Sequence, residues 1–437
     1  MRKGRLVRIF GGALAVGAAL GMAMAAHAQD KKFKIGVIFD LTGPLAGGGS
    51  ELQYLGVKIM NDYFIKQGPI EGYTIEAVYA DAQSKPDVAI NEAVRLMEQE
   101  KVDMVAGIYS SAQCVPIASR VEQMKKFLWL TTCVSTGVVE DKHYKYVFRP
   151  QASGQQYGQT TTGMVAAIAK SNFGKEPKDM RVAIIHEDGS YGVDVAKGNE
   201  AGAKKAGMNI VLKEGYSATA PDLSALVTKL KRARPDVVFH TGYNPDISLI
   251  LRQSREQGFK TGGIIGQGAG YGVYEKLAES LGGHASLFFN TDPVSIWLAN
   301  PQAIDPKLQP MIKMVGEEFD KAKPGQTIRS AHVGIGASNM YVFFTQVLPV
   351  AIKKYGGVDA EALRKAAMDV DMPEGSTMLG FGVKFAPPES PIAGQNERSY
   401  PVVIQYVDDK PYVVWPKNLA QRDVVLPWPA GMTYSYK

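Results

Sequence analysis

Two doubly wound α/β lobes joined by a multi-crossing hinge are the fold class this sequence predicts, and three observations carry that expectation. Apolar segments rich in β-branched and aromatic residues alternate with segments of helical periodicity, and the alternation begins afresh at Arg181. The strand-like segments are apolar almost throughout rather than at every second position, as in strands buried on both faces of a parallel sheet. About 400 residues follow the first 28, more than one hydrophobic core normally organises, so two domains are the default.

Taken in order, residues 33–39 read as a strand that stops at the glycine-rich stretch 42–49, and Ser50 stands where a helix N-cap is expected. Leu52, Leu55, Ile59, Met60 and Tyr63 then recur at the spacing that stacks side chains on one helical face. Residues 73–80 form a second strand, 87–100 a helix opened by Pro86, 102–107 a third strand and 127–131 a fourth. The second run places strands at 181–186, 209–213, 235–240 and 263–266, with a helix over 223–232 among those between them. Residues 293–350 are mainly helical in pattern, and from residue 381 prolines punctuate the chain before a late strand at 400–406. No low-complexity linker separates the halves, so the chain is expected to cross between lobes several times. The lobes expected are 29–149 with 293–385, and 150–292 with 386–437. In such sheets ligands bind at the edge where the strands end, so the pocket is expected between the lobes.

The N-terminus carries Arg2, Lys3, Arg5 and Arg8 ahead of an Ala- and Gly-rich apolar run ending in Ala26-His27-Ala28, the pattern of a cleavable export signal. No Cys follows the cut, so an unlipidated protein of the periplasm is expected. Residues 1–28 hold four positive charges and no negative ones, so removing them lowers the formal charge from +6 to +2. With no basic cluster on any predicted face, nucleic acid and anionic membrane surfaces are not expected partners. The two cysteines, Cys114 and Cys133, are a possible disulfide in an oxidising compartment, with the reduced alternative open.

Catalytic motifs are missing. The glycine-rich stretch 266–272 departs from the dinucleotide-loop pattern at its third glycine, and no phosphate-binding P-loop or serine elbow occurs. The six histidines lack metal-ligand spacing, so neither metal nor cofactor is expected and the protein reads as no enzyme. His186 and His240 each end a predicted strand, placing them either at the cleft or as hydrogen-bonded rim residues.

Several short segments, among them 34–37, 41–44, 107–116, 148–150, 191–192, 242–245 and 250–253, fall in an order and spacing that resembles the periplasmic leucine/isoleucine/valine-binding proteins of ABC-type uptake. The resemblance covers nearly all of the chain after the signal and implies the type I periplasmic binding fold. It also implies a monomer that closes around a small carboxylate and presents it to ABC-transporter permease subunits in the inner membrane. A ligand-sensing receptor module of the same fold is the alternative. By this resemblance the ligand's carboxylate meets Ser111, Ala112, Cys133 and Ser135, and a tyrosine pair is Tyr191 and Tyr243. The acid that would take an ammonium group aligns with Gln267, a poor substitute because a buried ammonium needs a carboxylate. Gly48, within a triple glycine, implies extra room over the ligand, while Tyr109 and His332 stand where apolar walls are usual. Together these departures imply an amino acid or, given Gln267, an aromatic or other non-amino carboxylate.

Overall fold

The computed structural model describes residues 31–326 and 328–429; the export signal and its cut after Ala28 lie outside the described residues. The first lobe is built from β1 (Lys31–Phe39), α1 (Glu51–Gln67), β2 (Tyr73–Asp81), α2 (Pro86–Glu98), β3 (Met104–Gly107), α3 (Ser111–Gln123), β4 (Phe127–Leu130) and β5 (Val147–Phe148). Its strands lie in the order β2-β1-β3-β4-β5 and every pair is parallel. The second lobe follows with α4 (Gly154–Phe173), β6 (Arg181–Glu187), α5 (Ser190–Lys205), β7 (Asn209–Tyr216), α6 (Ser224–Ala233), β8 (Val237–Thr241), α7 (Asn244–Glu256), β9 (Ile264–Gly266), α8 (Tyr274–Ser280) and β10 (Phe289–Asp292). Its parallel sheet runs β7-β6-β8-β9, and a bridge from Gln267 to Thr291 attaches β10. The expected α/β class with parallel sheets is therefore observed.

The chain then returns to the first lobe through α9 (Gln309–Ala322), the 25-residue helix α10 (Ala331–Tyr355) and α11 (Ala360–Met368). Helix α10 is apolar because it is a core element: Val333, Met340 and Phe343 pack with Phe33, Ile35 and Val37 of β1, and the Phe33 and Phe343 rings stack at 5.7 Å. Each such large side chain removed from water stabilises the lobe by about 1.5–3 kcal/mol. A short ribbon of β11 (Asp371–Met372) and β12 (Val383–Lys384) precedes β13 (Val402–Val407) and β14 (Lys410–Trp415), which pair antiparallel with β10 in the order β10-β13-β14. Val403, Tyr406 and Trp428 thereby join the second core with Phe239, Phe288 and Phe289. The antiparallel addition went unforeseen: only β13 had a sequence signal, since β10 is short and β14 contains Pro411.

The chain passes between the two cores after β5, after β10 and between β12 and β13. At the first passage Arg149 is fully buried; its Nε donates to Gln395 Oε1 at 2.6 Å and its Nη1 to the carbonyls of Cys133 and Ser135 at 3.3 and 2.5 Å. Burial pulls the guanidinium down to about 10. Asn396 Nδ2 donates to Pro150 O at 2.7 Å, tying the third passage to the first. Ser50 is not the side-chain cap expected: it is helical, and its hydroxyl accepts from Asp40 N at 2.8 Å. The tight turn 46–50 leads into α1 instead.

Candidate functional site

The ends of the strands of both sheets face one another, and between them lies a cavity of about 30 Å³. The first lobe supplies Gln53, Tyr109, Ser111, Thr132, Val134 and His332; the second supplies Tyr157, Tyr191, Tyr243 and Ala269, with Gln151 and Asp292 from the passages between them. Four tyrosines thus wall one small space. Tyr243 lies 6.3 Å from the Tyr109 ring across the cleft and 5.4 Å from the Tyr191 ring beside it. Burial holds all four hydroxyls well above their ordinary range, keeping them neutral hydrogen-bonding groups.

Ser111 opens α3, where the first-turn amides of a helix and its dipole favour an anion. Its Oγ accepts from Ser135 N at 3.2 Å, joining α3 to the loop after β4. That loop is fixed from beneath by Arg149 and from the side by the disulfide between Cys114 and Cys133, whose Cα atoms are 6.4 Å apart.

On the other side Asp292, the last residue of β10, is 3 % exposed. Its Oδ1 accepts from Tyr157 OH at 2.8 Å, and its Oδ2 accepts from Asn290 Nδ2 at 3.3 Å and lies 3.3 Å from His332 Nε2. The cavity therefore has a helix N-terminus at one wall and a buried carboxylate at another, with aromatic faces between.

Of the residues expected at the site, Ser111, Tyr109, Tyr191, Tyr243 and His332 line this cavity. Ala112 does not: it is exposed and lines an outer groove, because one step along α3 turns it away from the cleft. Cys133 is fully buried in the disulfide, with Sγ 3.8 Å from Ser111 Oγ, and Ser135 turns its Oγ to Gly137 N; Thr132 and Val134 face the cavity in their place. Gln267 is also off the cavity wall. Its side chain lies inside the second lobe, accepting from Thr241 Oγ1 at 2.8 Å and donating to Thr161 Oγ1 at 2.9 Å, while its carbonyl accepts from Tyr191 OH.

Gly48 lies at the cleft mouth, where its carbonyl accepts from Tyr109 OH at 3.0 Å and a β-carbon would stand 2.9 Å from Asn244 Oδ1. Gly48 and Gly49 of the triple glycine leave no extra room. At Gly49 (φ +124°) a β-carbon would stand 2.5 Å from Tyr109 OH and 2.7 Å from His332 Nδ1, so the glycines let those two rings move in. His186 and His240 stay off the cavity wall. His186 Nδ1 lies 2.7 Å from Glu187 O, and His240 sits between the hydroxyls of Tyr216 and Tyr271, 2.7 Å from each, where burial pulls it down to about 3. Sequence reasoning missed Asp292, Gln53, Tyr157 and Gln151. The only signal for Asp292 was an apolar pair, Phe288-Phe289, ending in Asn290-Thr291-Asp292-Pro293.

Two α/β lobes with a polar and aromatic cavity at their junction define a solute-binding protein of the two-lobed kind. The family profile described as periplasmic binding protein matches residues 32–400, and the chain belongs to that family. The Leu/Ile/Val-binding protein homolog 7 of Brucella suis is 32 % identical over 415 residues, covering 95 % of this chain and 98 % of its own. The crystal structure of the leucine-binding protein LivK from Thermotoga maritima superposes with a TM-score of 0.71 at 21 % identity, covering 87 % of this chain and 97 % of its own. A solute-binding protein from R. palustris, solved in complex with 4-hydroxybenzoate, gives 0.67 at 16 % identity, covering 87 % and 95 %. Family and fold are those of ABC-transporter substrate-binding proteins, which bind small molecules rather than transform them.

Proposed function

We propose that this protein is the extracytoplasmic binding component of an ABC uptake transporter and that it traps an α-amino acid between its lobes. The observation that carries this reading is the pairing of Ser111 at the start of α3 with the buried carboxylate of Asp292 in one cavity. The first suits a carboxylate and the second an ammonium. The argument against an amine rested on Gln267, which faces away from the cavity, whereas Asp292 lines it.

A cavity of about 30 Å³ admits a water or two, far below the several hundred Å³ of ordinary small-ligand sites. Loading therefore requires the lobes to part, and the ligand takes space that the tyrosine rings now share. Binding then shifts an open and closed equilibrium, and the permease reads the closed form. The relative named for leucine, isoleucine and valine favours an amino acid as cargo.

A second reading, an aromatic carboxylate without an amine, is favoured by the four tyrosine faces and by the three neighbours already around Asp292. Native mass spectrometry of the purified protein followed by calorimetric titration separates the two. An amino acid that binds tightly, and loses at least tenfold on Asp292→Asn, supports the first; benzoate-type acids binding while every amino acid fails overturns it.

A further inference from the structure

Two residues that line the cavity each carry a buried polar atom with no hydrogen-bond partner among the described residues, and neither atom belongs to the carboxylate or ammonium positions above. Gln53 is 2 % exposed with Oε1 unpartnered, and His332 is 2 % exposed with Nδ1 unpartnered. Both residues line the cavity. The geometry that brings them together is rigid. Helices α1 and α10 approach so closely that a β-carbon at Gly336 would stand 2.6 Å from Gln53 O, and one at Gly56 would strike Val333 O. Glycine at those two positions lets the helices touch and fixes Gln53 beside the start of α10, where His332 sits.

His332 Nε2 lies 3.3 Å from Asp292 Oδ2, which leaves Nδ1 as the ring nitrogen without a partner among the described residues. The two residues thus hold two unpartnered polar atoms, the acceptor Gln53 Oε1 and His332 Nδ1. Buried acceptors are nearly always paired in native structures, and an unpaired one is costly. A methyl-terminated side chain filling this space would shut both atoms away from water without replacing the bond. A hydroxyl or carboxamide would satisfy them.

We infer that Gln53 and His332 form a subsite for a hydrogen-bond donor on the body of the ligand, a hydroxyl or a carboxamide, and that this subsite selects against aliphatic side chains of the same shape. The inference rests on the cavity being the ligand site, as proposed above. It narrows the cargo to polar amino acids rather than branched aliphatic ones.

Isosteric pairs test it by titration calorimetry on the full chain: threonine against valine, and asparagine against leucine. The expected result is a preference of about ten- to a hundredfold for the polar member, the range that one or two unpaired buried groups produce. Gln53→Met keeps the length of the side chain and removes the acceptor, so the ratio should fall by about tenfold while the melting temperature of the free protein is held. Valine and leucine binding as tightly as their polar partners, or an unchanged ratio in the methionine variant, overturns the inference. If no amino acid binds, the amino-acid reading fails by itself and 4-hydroxybenzoate against 4-methylbenzoate carries the test. Preference for the hydroxyl then supports the subsite, and equal binding or none overturns it.

Discussion

Removing the carboxylate of Asp194 should weaken ligand binding about a hundredfold although Asp194 does not line the cavity. It stands on α5 of the second lobe, 3 % exposed, and reaches the loop after β4 of the first. There its Oδ2 accepts from Thr136 N at 2.9 Å and its Oδ1 accepts from Thr136 Oγ1. Hydrogen bonds to a charged acceptor contribute about 1.5–3 kcal/mol each. Asp194→Ala removes both, and water recovers part of the loss once the lobes separate. A net cost of about 3 kcal/mol to the closed form, at 1.4 kcal/mol per factor of ten, gives the hundredfold figure when the free protein is mainly open. Thr136→Val keeps the amide donor and should lose less, and the double variant should lose little beyond Asp194→Ala alone. Calorimetry with the ligand found by native mass spectrometry reads the affinity, and thermal melting of the free protein reads the fold. An affinity within threefold of the parent, with a clear fall in the free protein's melting temperature, would refute the reasoning, because the contact would then belong to a permanent interface.

Three further outcomes follow from buried groups. Burial pushes the Asp246 carboxyl up to about 7, although Tyr216 OH and Tyr243 N donate to it at 2.7 and 2.9 Å. Because its pKa is raised on folding, its contribution is most favourable below the unfolded value near 4 and is lost as pH rises towards 7. The stability difference between parent and Asp246→Asn should therefore shift against the parent by a few kcal/mol between pH 4 and 7, as read by urea unfolding, and a flat difference contradicts this. Cys114 and Cys133 are 19 residues apart, and closing a loop of that length stabilises by about 3 kcal/mol in the chain-entropy account. The double alanine variant should lose about that much by denaturant unfolding, with no further loss on adding reductant. Gly49→Ala should cost about 1–3 kcal/mol of stability from its positive φ alone. It should also lower affinity, because Tyr109 must give up its bond to Gly48 O, and calorimetry reads that loss.

The alternation of strand and helix was legible because buried parallel strands leave unbroken apolar runs, and Arg181–Glu187 and Val237–Thr241 do so plainly. Ser111, Tyr109, Tyr191, Tyr243 and His332 were named through the family resemblance, and the five line the cavity because each follows a strand end or opens a helix at the cleft. Gln267, aligned by the same resemblance, misled: it follows β9, but its side chain turns inward between Thr161 and Thr241, and no local pattern sets that direction. Asp292 was hidden because its strand is four residues long and its ladder partner, β13, lies more than a hundred residues on. Gln53 was hidden because it stands on the face of α1 packed against α10, away from the exposed Lys58 and Asp62, and no local pattern marks a polar residue there as part of a site. The disulfide stayed undecided until the loop after β4 and helix α3 were placed side by side.

Small-angle scattering of the purified protein, with and without the solute it carries, tests the central claim most directly. Lobes that part to load a cavity of about 30 Å³ must give a larger radius of gyration in the free protein and a smaller one at saturation. Superimposable curves at saturating ligand, with binding verified by calorimetry in the same buffer, would contradict capture by closure.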